Sequence, residues 1–305
     1  WPKPAKPNAP TAAPSTNSRT ASTLVAGIDN GAAGVEVIVT TYNNPVALHY
    51  TLLGLRGQTF QDFTVCIADD GSGPETQKVV DAWIAKFGAK RIRHVWHPDV
   101  GFAKNQILNK AIASSQAQYL VFLDGDCIAS HDFLARHVSQ REKGQFLSGG
   151  VLRMPLKVNA LLNDALITSG EIFSYRWLKR NECIRGIGGY LKGGFLPLLL
   201  SNFLELISPV KKTWNGGNSS AWRADIVAVN GFNESLRYGA EDVELGVRLN
   251  NYGIKGRHIR YSAKLLHIEH DRGYVDMDIF TKNKMHIKRL KNSREWWVSS
   301  GLFKD

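Results

Sequence analysis

From Val35 onward the chain switches between two periods of apolar and polar positions. VEVIVTTY (35–42) is β-branched and apolar and stops at NNP, the pattern of a buried strand. PVALHYTLLGLRG (45–57) opens on a proline suited to a first helical turn. It spaces Leu48, Leu52 and Leu55 as a helix does and closes on Gly57. FTVCIADD (63–70) predicts a second strand. PETQKVVDAWIAKFG (74–88) predicts a second helix, with Val79, Val80, Trp83, Ile84 and Phe87 on one face. RIRHVWH (91–97) and QYLVFLDGD (118–126) predict strands three and four, and KNQILNKAIASS (104–115) the helix between them. Strands apolar on both faces that alternate with helices predict an α/β fold with a mostly parallel central sheet and helices on each side.

The second half is less regular. Residues 153–213 hold a Gly-rich stretch, RGIGGYLKGG (185–194), and an apolar one, FLPLLLSNFLELI (195–207). The latter is too short to span a bilayer, and two readings stay open: a segment lying in a membrane interface, or a core helix. REWWVSSGLF near the C-terminus carries the same ambiguity. Val243, Leu245, Val247 and Leu249 mark a helix in which Glu244 and Arg248 form an i,i+4 pair and which Gly253 ends. Residues 1–33, rich in Pro, Ala, Ser and Thr, read as a disordered tail or linker. The organisation expected is this tail, a regular first half over 34–150, a less regular second half over 151–280, and a basic, aromatic extension over 281–305.

The 305 residues carry 38 Lys plus Arg against 27 Asp plus Glu, a net charge of +11. That excess favours an anionic partner, such as a phosphorylated substrate or an anionic membrane surface. With no helix-turn-helix or RNP-like signature, no nucleic-acid partner is expected. Cys66, Cys127 and Cys183 fit neither a zinc site nor a disulfide framework and point to a reducing compartment. No apolar run reaches the ~18 residues of a spanning helix. The chain opens on Trp1 rather than Met, so a leader or anchor upstream stays an open expectation.

Ligands in parallel sheets bind beyond the carboxyl ends of the strands. There this chain places Thr41-Tyr42-Asn43-Asn44, Asp69-Asp70-Gly71-Ser72 and Asp124-Gly125-Asp126. In an extended segment Asp124 and Asp126 point the same way, so they would share one hard divalent cation, Mn²⁺ or Mg²⁺; the plainer reading is a turn with a capping Asp. Asp69 and Asp70 are ribose or base acceptors, or turn formers. Glu241 and Asp242 open a helix, as a general base or as acids favoured by the dipole. WNGGNSS (214–220) is a glycine turn that admits a ligand or only turns. His267 and His270, three apart, would share a helical face and offer a third metal ligand, or are ordinary surface histidines.

The segments VIVTTYNN, IADDGSG, GFAKNQILNKAI, YLVFLDGDCI, WNGGNSSAWRADIVAVNGFNE and YGAEDVELGVRL stand in an order that resembles family 2 glycosyltransferases. The second half is similar to the galactosyltransferase-type segment of bacterial polysaccharide enzymes and animal β-1,4-galactosyltransferases. The resemblance covers about residues 35–275. It implies a GT-A fold and an inverting hexosyltransferase using a nucleotide-sugar donor, UDP-linked. Thr41, Tyr42, Asn43, Asp69 and Asp70 would surround base and ribose, with Lys104, Asn105, Asp124 and Gly125 along the nucleotide. Asp124 and Asp126 would hold Mn²⁺ or Mg²⁺, with His267 or His270 as a further ligand. Trp214, Gly216, Gly217 and Asn218 would face sugar and acceptor, and Asp242 beside Glu241 would be the base. Two departures are Lys104 where relatives carry Arg, and Tyr238 and Ala240 in a turn where Trp and Gly are common. The acceptor implied is a saccharide or lipid-linked saccharide of surface-polysaccharide assembly, handled in the cytoplasm or at the inner face of the plasma membrane.

Other classes fit less well. A nucleotidyltransferase needs a Gly-rich basic loop after strand one, where this chain has TTYNNP. A glycoside hydrolase needs two carboxylates about the scissile bond and no nucleotide. A non-catalytic binder of sugar nucleotides or other anions would explain the charge without the acid pair.

Overall fold

The computed structural model describes residues 34–239, 241–270 and 277–304; the expected tail over 1–33 lies outside them. The predicted alternation forms β1 (Val35–Thr41), α1 (Pro45–Arg56), β2 (Phe63–Asp69), α2 (Pro74–Phe87), β3 (Ile92–Trp96), α3 (Lys104–Ser114) and β4 (Tyr119–Asp124). Each boundary falls within two residues of the expected one. Pro45 sits in the first turn of α1, where a missing N–H costs nothing, and Asn44 caps it by accepting from the Ala47 amide at 3.2 Å.

The chain continues through β5 (Cys127–Ala129), α4 (Phe133–Ser139), β6 (Gln145–Ser148), β7 (Leu152–Arg153), α5 (Asp164–Thr168), α6 (Tyr175–Arg180), α7 (Gly186–Lys192) and α8 (Leu198–Ile207). It ends with β8 (Asn218–Trp222), α9 (Arg223–Ala228), α10 (Glu241–Tyr252), β9 (Lys255–His258), β10 (Leu265–His267) and α11 (Met277–Ser293). The main sheet runs β3-β2-β1-β4-β8-β6-β9. Its first four strands are parallel, β8 runs antiparallel to β4 and to β6, and β6 and β9 are parallel. β8 thus docks residues of the second half onto the first, so one sheet joins both. A three-stranded sheet, β5-β10-β7, lies beside it.

The strand period of two sorts the core. Val35, Val37, Val39, Val65, Ile67, Val121 and Leu123 face one layer with Leu48, Leu52, Leu55, Val80 and Trp83 of α1 and α2. Ile38, Cys66, Ala68, Leu120 and Phe122 face the other, with Ile107, Leu108, Ala111 and Ile112 of α3 and Leu245 and Leu249 of α10. Each fully buried Leu, Ile or Val contributes roughly 1.5–3 kcal/mol. All three cysteines are free and buried.

Two open questions resolve. α8 forms but is not a core helix: its buried residues are Ser201 and Glu205, whereas Leu199, Phe203, Leu206 and Ile207 are exposed. Glu205 accepts from the backbone amides of Tyr261 and Ser262 at 2.7 and 2.9 Å, which turns the polar face inward. The C-terminal segment, in contrast, packs home. Leu302 and Phe303 lie against the α3–α10 layer, and Asn230 accepts from the Phe303 amide at 2.7 Å.

Candidate active site

The carboxyl ends of β1, β2 and β4 open on a cleft of about 960 Å³. Its volume lies at the upper end of the range of about 300–1,000 Å³ usual for ligand clefts. One end is built by Thr41, Tyr42, Asn43 and Asp70, the middle by Lys104, Asp124, Gly125, Asp126, His267 and His270, and the far end by Gly216, Gly217, Glu241 and Asp242.

At the first end Asp70 is fixed by two contacts. The His97 ring Nε2 lies 2.7 Å from its Oδ1, and the Ala103 amide donates to its Oδ2 at 3.0 Å. Burial raises its pKa, and the hydrogen bond to His97 opposes that. Asn43, in the left-handed region at φ 46°, ties β1 to the β2 turn by accepting from the Gly73 amide at 2.8 Å. The Thr41 hydroxyl is buried without a partner among the described residues.

In the middle, Gly125 makes the acid pair possible. Its amide donates to the Thr40 carbonyl at 2.7 Å, and a Cβ there would stand 2.5 Å from that oxygen. Gly125 and Asp126 form a turn between β4 and β5, so the expected extended segment does not form. Asp124 Oδ1 accepts from Lys104 Nζ at 2.7 Å and from the Thr40 hydroxyl at 2.9 Å. Burial alone would lower the Lys104 pKa, but the charges of Asp124 and then Glu241 more than offset it and hold it raised.

Asp126 joins His267 and His270. Its Oδ2 lies 2.9 Å from His270 Nε2 and 3.4 Å from His267 Nε2, and the two rings stack with centroids 5.7 Å apart. The histidines do not share a helical face. His267 ends β10, beside Cys127 of β5, and His270 follows outside any helix or strand. Burial would raise the Asp126 pKa, but hydrogen bonds and charge from His267 and His270 hold it well below the usual carboxylate range. Ligand atoms of these three lie within 4.8 Å of one another. His267 Nδ1 is buried without a partner among the described residues. One carboxylate and two imidazoles fit a divalent cation that keeps positions for water and phosphate oxygen.

At the far end Asp242 stands in the first turn of α10. Its Oδ1 accepts from the Val243 amide at 2.8 Å and its Oδ2 from the Gly216 amide at 2.9 Å. Burial raises its pKa, and Lys104 and the two amides only partly restore it. Glu241 is raised by burial and by the charge of Asp242, and its Oε2 accepts from the Gly239 amide at 2.8 Å. Gly217 permits a close approach: a Cβ there would stand 2.6 Å from Asp124 Oδ2.

Four expected contacts turn away from the cleft. Asp69 is buried, with Oδ2 3.0 Å from His94 Nε2 and Oδ1 accepting from the Ser72 amide at 2.8 Å; it holds the β2 turn. Asn105 is rotated one helical step from Lys104 and donates to the Asn233 carbonyl at 2.7 Å, so it anchors that loop. Trp214 is buried in an aromatic cluster with Phe122, Phe146 and Phe232. Asn218 points into the core, where its Oδ1 lies 3.0 Å from His137 Nε2 and its amide donates to the Gly150 carbonyl at 2.8 Å. Conversely, Arg153 and His97 were not singled out. Arg153 lines the cleft from β7 and pairs with Glu269 at 3.2 Å; a two-residue strand gives no periodic signal. His97, at the carboxyl end of the third strand, was within reach of the strand-end rule.

The family model described as glycosyl transferase family 2 matches residues 36–159, and one described as the N-terminal domain of galactosyltransferase matches residues 203–271. The chain is 25% identical over 279 residues to the glycosyltransferase YfnE of Bacillus subtilis (strain 168), covering 81% of this chain and 68% of that protein. It is 28% identical over 233 residues to validoxylamine A glucosyltransferase of Streptomyces hygroscopicus subsp. jinggangensis (strain 5008), covering 72% of this chain and 52% of that protein. It thus spans about two thirds of the first relative and about half of the second. The structure of S. aureus TarS 1-349 in complex with UDP-GlcNAc superposes with a TM-score of 0.57 at 17% identity, covering 86% of this chain and 69% of that one. The fold is of the GT-A type.

Proposed function

We propose that the chain, whose residues 36–159 match the glycosyl transferase family 2 model, is an inverting, cation-dependent hexosyltransferase. The donor is a UDP-hexose or UDP-N-acetylhexosamine, and the acceptor a saccharide or lipid-linked saccharide of surface-polysaccharide assembly. One observation carries the reading: Asp242 lines the same cleft as the Asp126–His267–His270 triad.

Direct displacement at an anomeric carbon needs one base and no covalent nucleophile. Asp242 fills that role, because its carboxylate is held by two backbone amides at the cleft wall. It takes the proton from the acceptor hydroxyl as that oxygen attacks the sugar. Glu241 supports it by fixing the turn at Gly239. Thr41, Tyr42, Asn43 and Asp70 receive base and ribose. Lys104 spans Asp124 and the acid pair and keeps their negative charge from opposing the donor's phosphates. Asp126, His267 and His270 would hold Mn²⁺ or Mg²⁺, and the cation would supply neutralisation of the leaving diphosphate. The TarS complex with UDP-GlcNAc supports a UDP donor on this fold.

The apolar outer face of α8 supports work at a membrane surface, with the basic surplus favouring the anionic inner leaflet. Among the described residues no helix is long and apolar enough to cross a membrane. The test is transfer from a panel of UDP-sugars to saccharide acceptors, with the anomeric configuration of the product read by NMR. Inversion in the wild type, lost in Asp242→Asn with UDP binding retained, is the expected outcome. A retained configuration, or transfer undiminished in the variant, overturns the reading.

A further inference from the structure

A second cavity, about 330 Å³, opens behind the acid pair. Val151, Asn215 and Asp242 line both it and the main cleft, so Asp242 is a shared wall. Its other walls carry Lys192, Lys211, His258 and Arg260, and Asp242 is the one carboxylate lining it among the described residues.

The cations of this cavity differ from those of the cleft. Lys104 has Asp124 at 2.7 Å and Arg153 has Glu269 at 3.2 Å. Lys192 Nζ donates to the Val151 carbonyl at 3.3 Å, and no carboxylate partner is seen for it among the described residues. Arg260 Nε is buried without a partner among the described residues. The two side chains crowd the same backbone: a Cβ on Gly150 would stand 3.2 Å from Lys192 Cδ and 3.2 Å from Arg260 Cβ. Burial, then Arg260, then Arg153 lower the Lys192 pKa, the mark of cations gathered without a counter-charge. Such a cluster is costly unless something anionic completes it.

We propose that this cavity is an anion subsite for the acceptor. Lys192, Arg260 and Lys211 bind a phosphate or carboxylate carried by the acceptor, and so bring its attacking hydroxyl to Asp242 in the shared wall. The proposal rests on the transferase reading above for the word acceptor, but not for the anion site. Acceptors bearing a sugar phosphate and acceptors bearing a uronic acid present the same oxygen anion to these cations.

The test is ligand-observed NMR titration of the full chain with glucose 1-phosphate, glucuronate and methyl glucoside, with and without saturating UDP and Mg²⁺. At least one anionic sugar binds about tenfold more tightly than methyl glucoside, the size of one charge-assisted contact. The stronger of the two identifies phosphate or carboxylate as the group recognised. The preference collapses in Lys192→Ala and Arg260→Gln and shrinks in Lys211→Ala, a solvent-exposed position that keeps the test available if either of the others fails to fold. Equal binding of all three sugars, or a preference that survives in the variants, overturns the proposal. Absence of UDP binding with the anion preference intact instead sinks the donor reading alone.

Discussion

Asp242 and Glu244, two residues apart on α10, show how neighbouring carboxylates acquire opposite characters. Asp242 is pushed up by burial, so it ionises only above the ordinary aspartate value. A base must be ionised to act, and transfer is therefore lost as pH falls through that raised value. The acid limb of kcat/KM is expected above the ordinary value of about 3.9, and Asp242→Asn should lower kcat by about 10²–10⁴-fold. A pH–rate profile and single-turnover assay check both. Burial would also raise Glu244, but Arg248 at 2.8 Å, with His286 and Asn233, lowers it from 4.5 to about 2. Because the folded value is depressed, the stabilisation is complete above pH 4.5 and disappears as pH falls toward 2. The shift corresponds to on the order of 3 kcal/mol. Glu244→Gln should lose about that at pH 7, and its gap from the wild type in urea unfolding should close toward pH 2.

At the scale of elements, α8 is amphipathic in the reverse sense for a soluble helix. Ser201 and Glu205 face the protein, and Leu199, at 84% exposure, and Leu206, at 73%, face outward. The sequence left a core helix and an interfacial helix equally open, because an apolar run has no inherent direction. Glu205, bound to the Tyr261–Ser262 turn, sets it. Leu199→Asp with Phe203→Asp should weaken sedimentation with anionic vesicles by about tenfold or more, since each buried side chain is worth roughly 1.5–3 kcal/mol. The melting temperature should not change, as neither side chain packs in the core. The β4–β5 turn is the opposite case, where local sequence was misleading. Asp-Gly-Asp reads as extended strand; it folds as a turn, in which Lys104 donates to Asp124 and the two histidines stand beside Asp126.

For the molecule as a whole, the proposed metal site depends on chain segments 144 residues apart, Asp126 and His270. Calorimetric titration of UDP should show binding that needs Mn²⁺ and fails in EDTA. Asp126→Ala should weaken it by more than the roughly 10–100-fold typical of changes around a metal ligand. Metal-independent binding of wild-type strength in the variant would remove the triad from the donor site. The sequence by itself determined the order of strands and helices in the first half, the mostly parallel sheet, the strand edge that carries Asp70, Asp124 and Asp126, and the acid pair at a helix start. Those properties are local: periods of 2 and 3.6, a proline or glycine at an end, and polar residues where an apolar run stops. Tertiary structure alone decided that β8 docks antiparallel on β4, that Asp69, Asn105, Trp214 and Asn218 turn away from the cleft, and that His267 reaches Asp126 from β10. It also gathered Lys192, Lys211 and Arg260 behind Asp242. Each of these depends on which distant surfaces meet, and that is fixed by burial and hydrogen-bond satisfaction summed over the whole chain rather than by any one stretch of it.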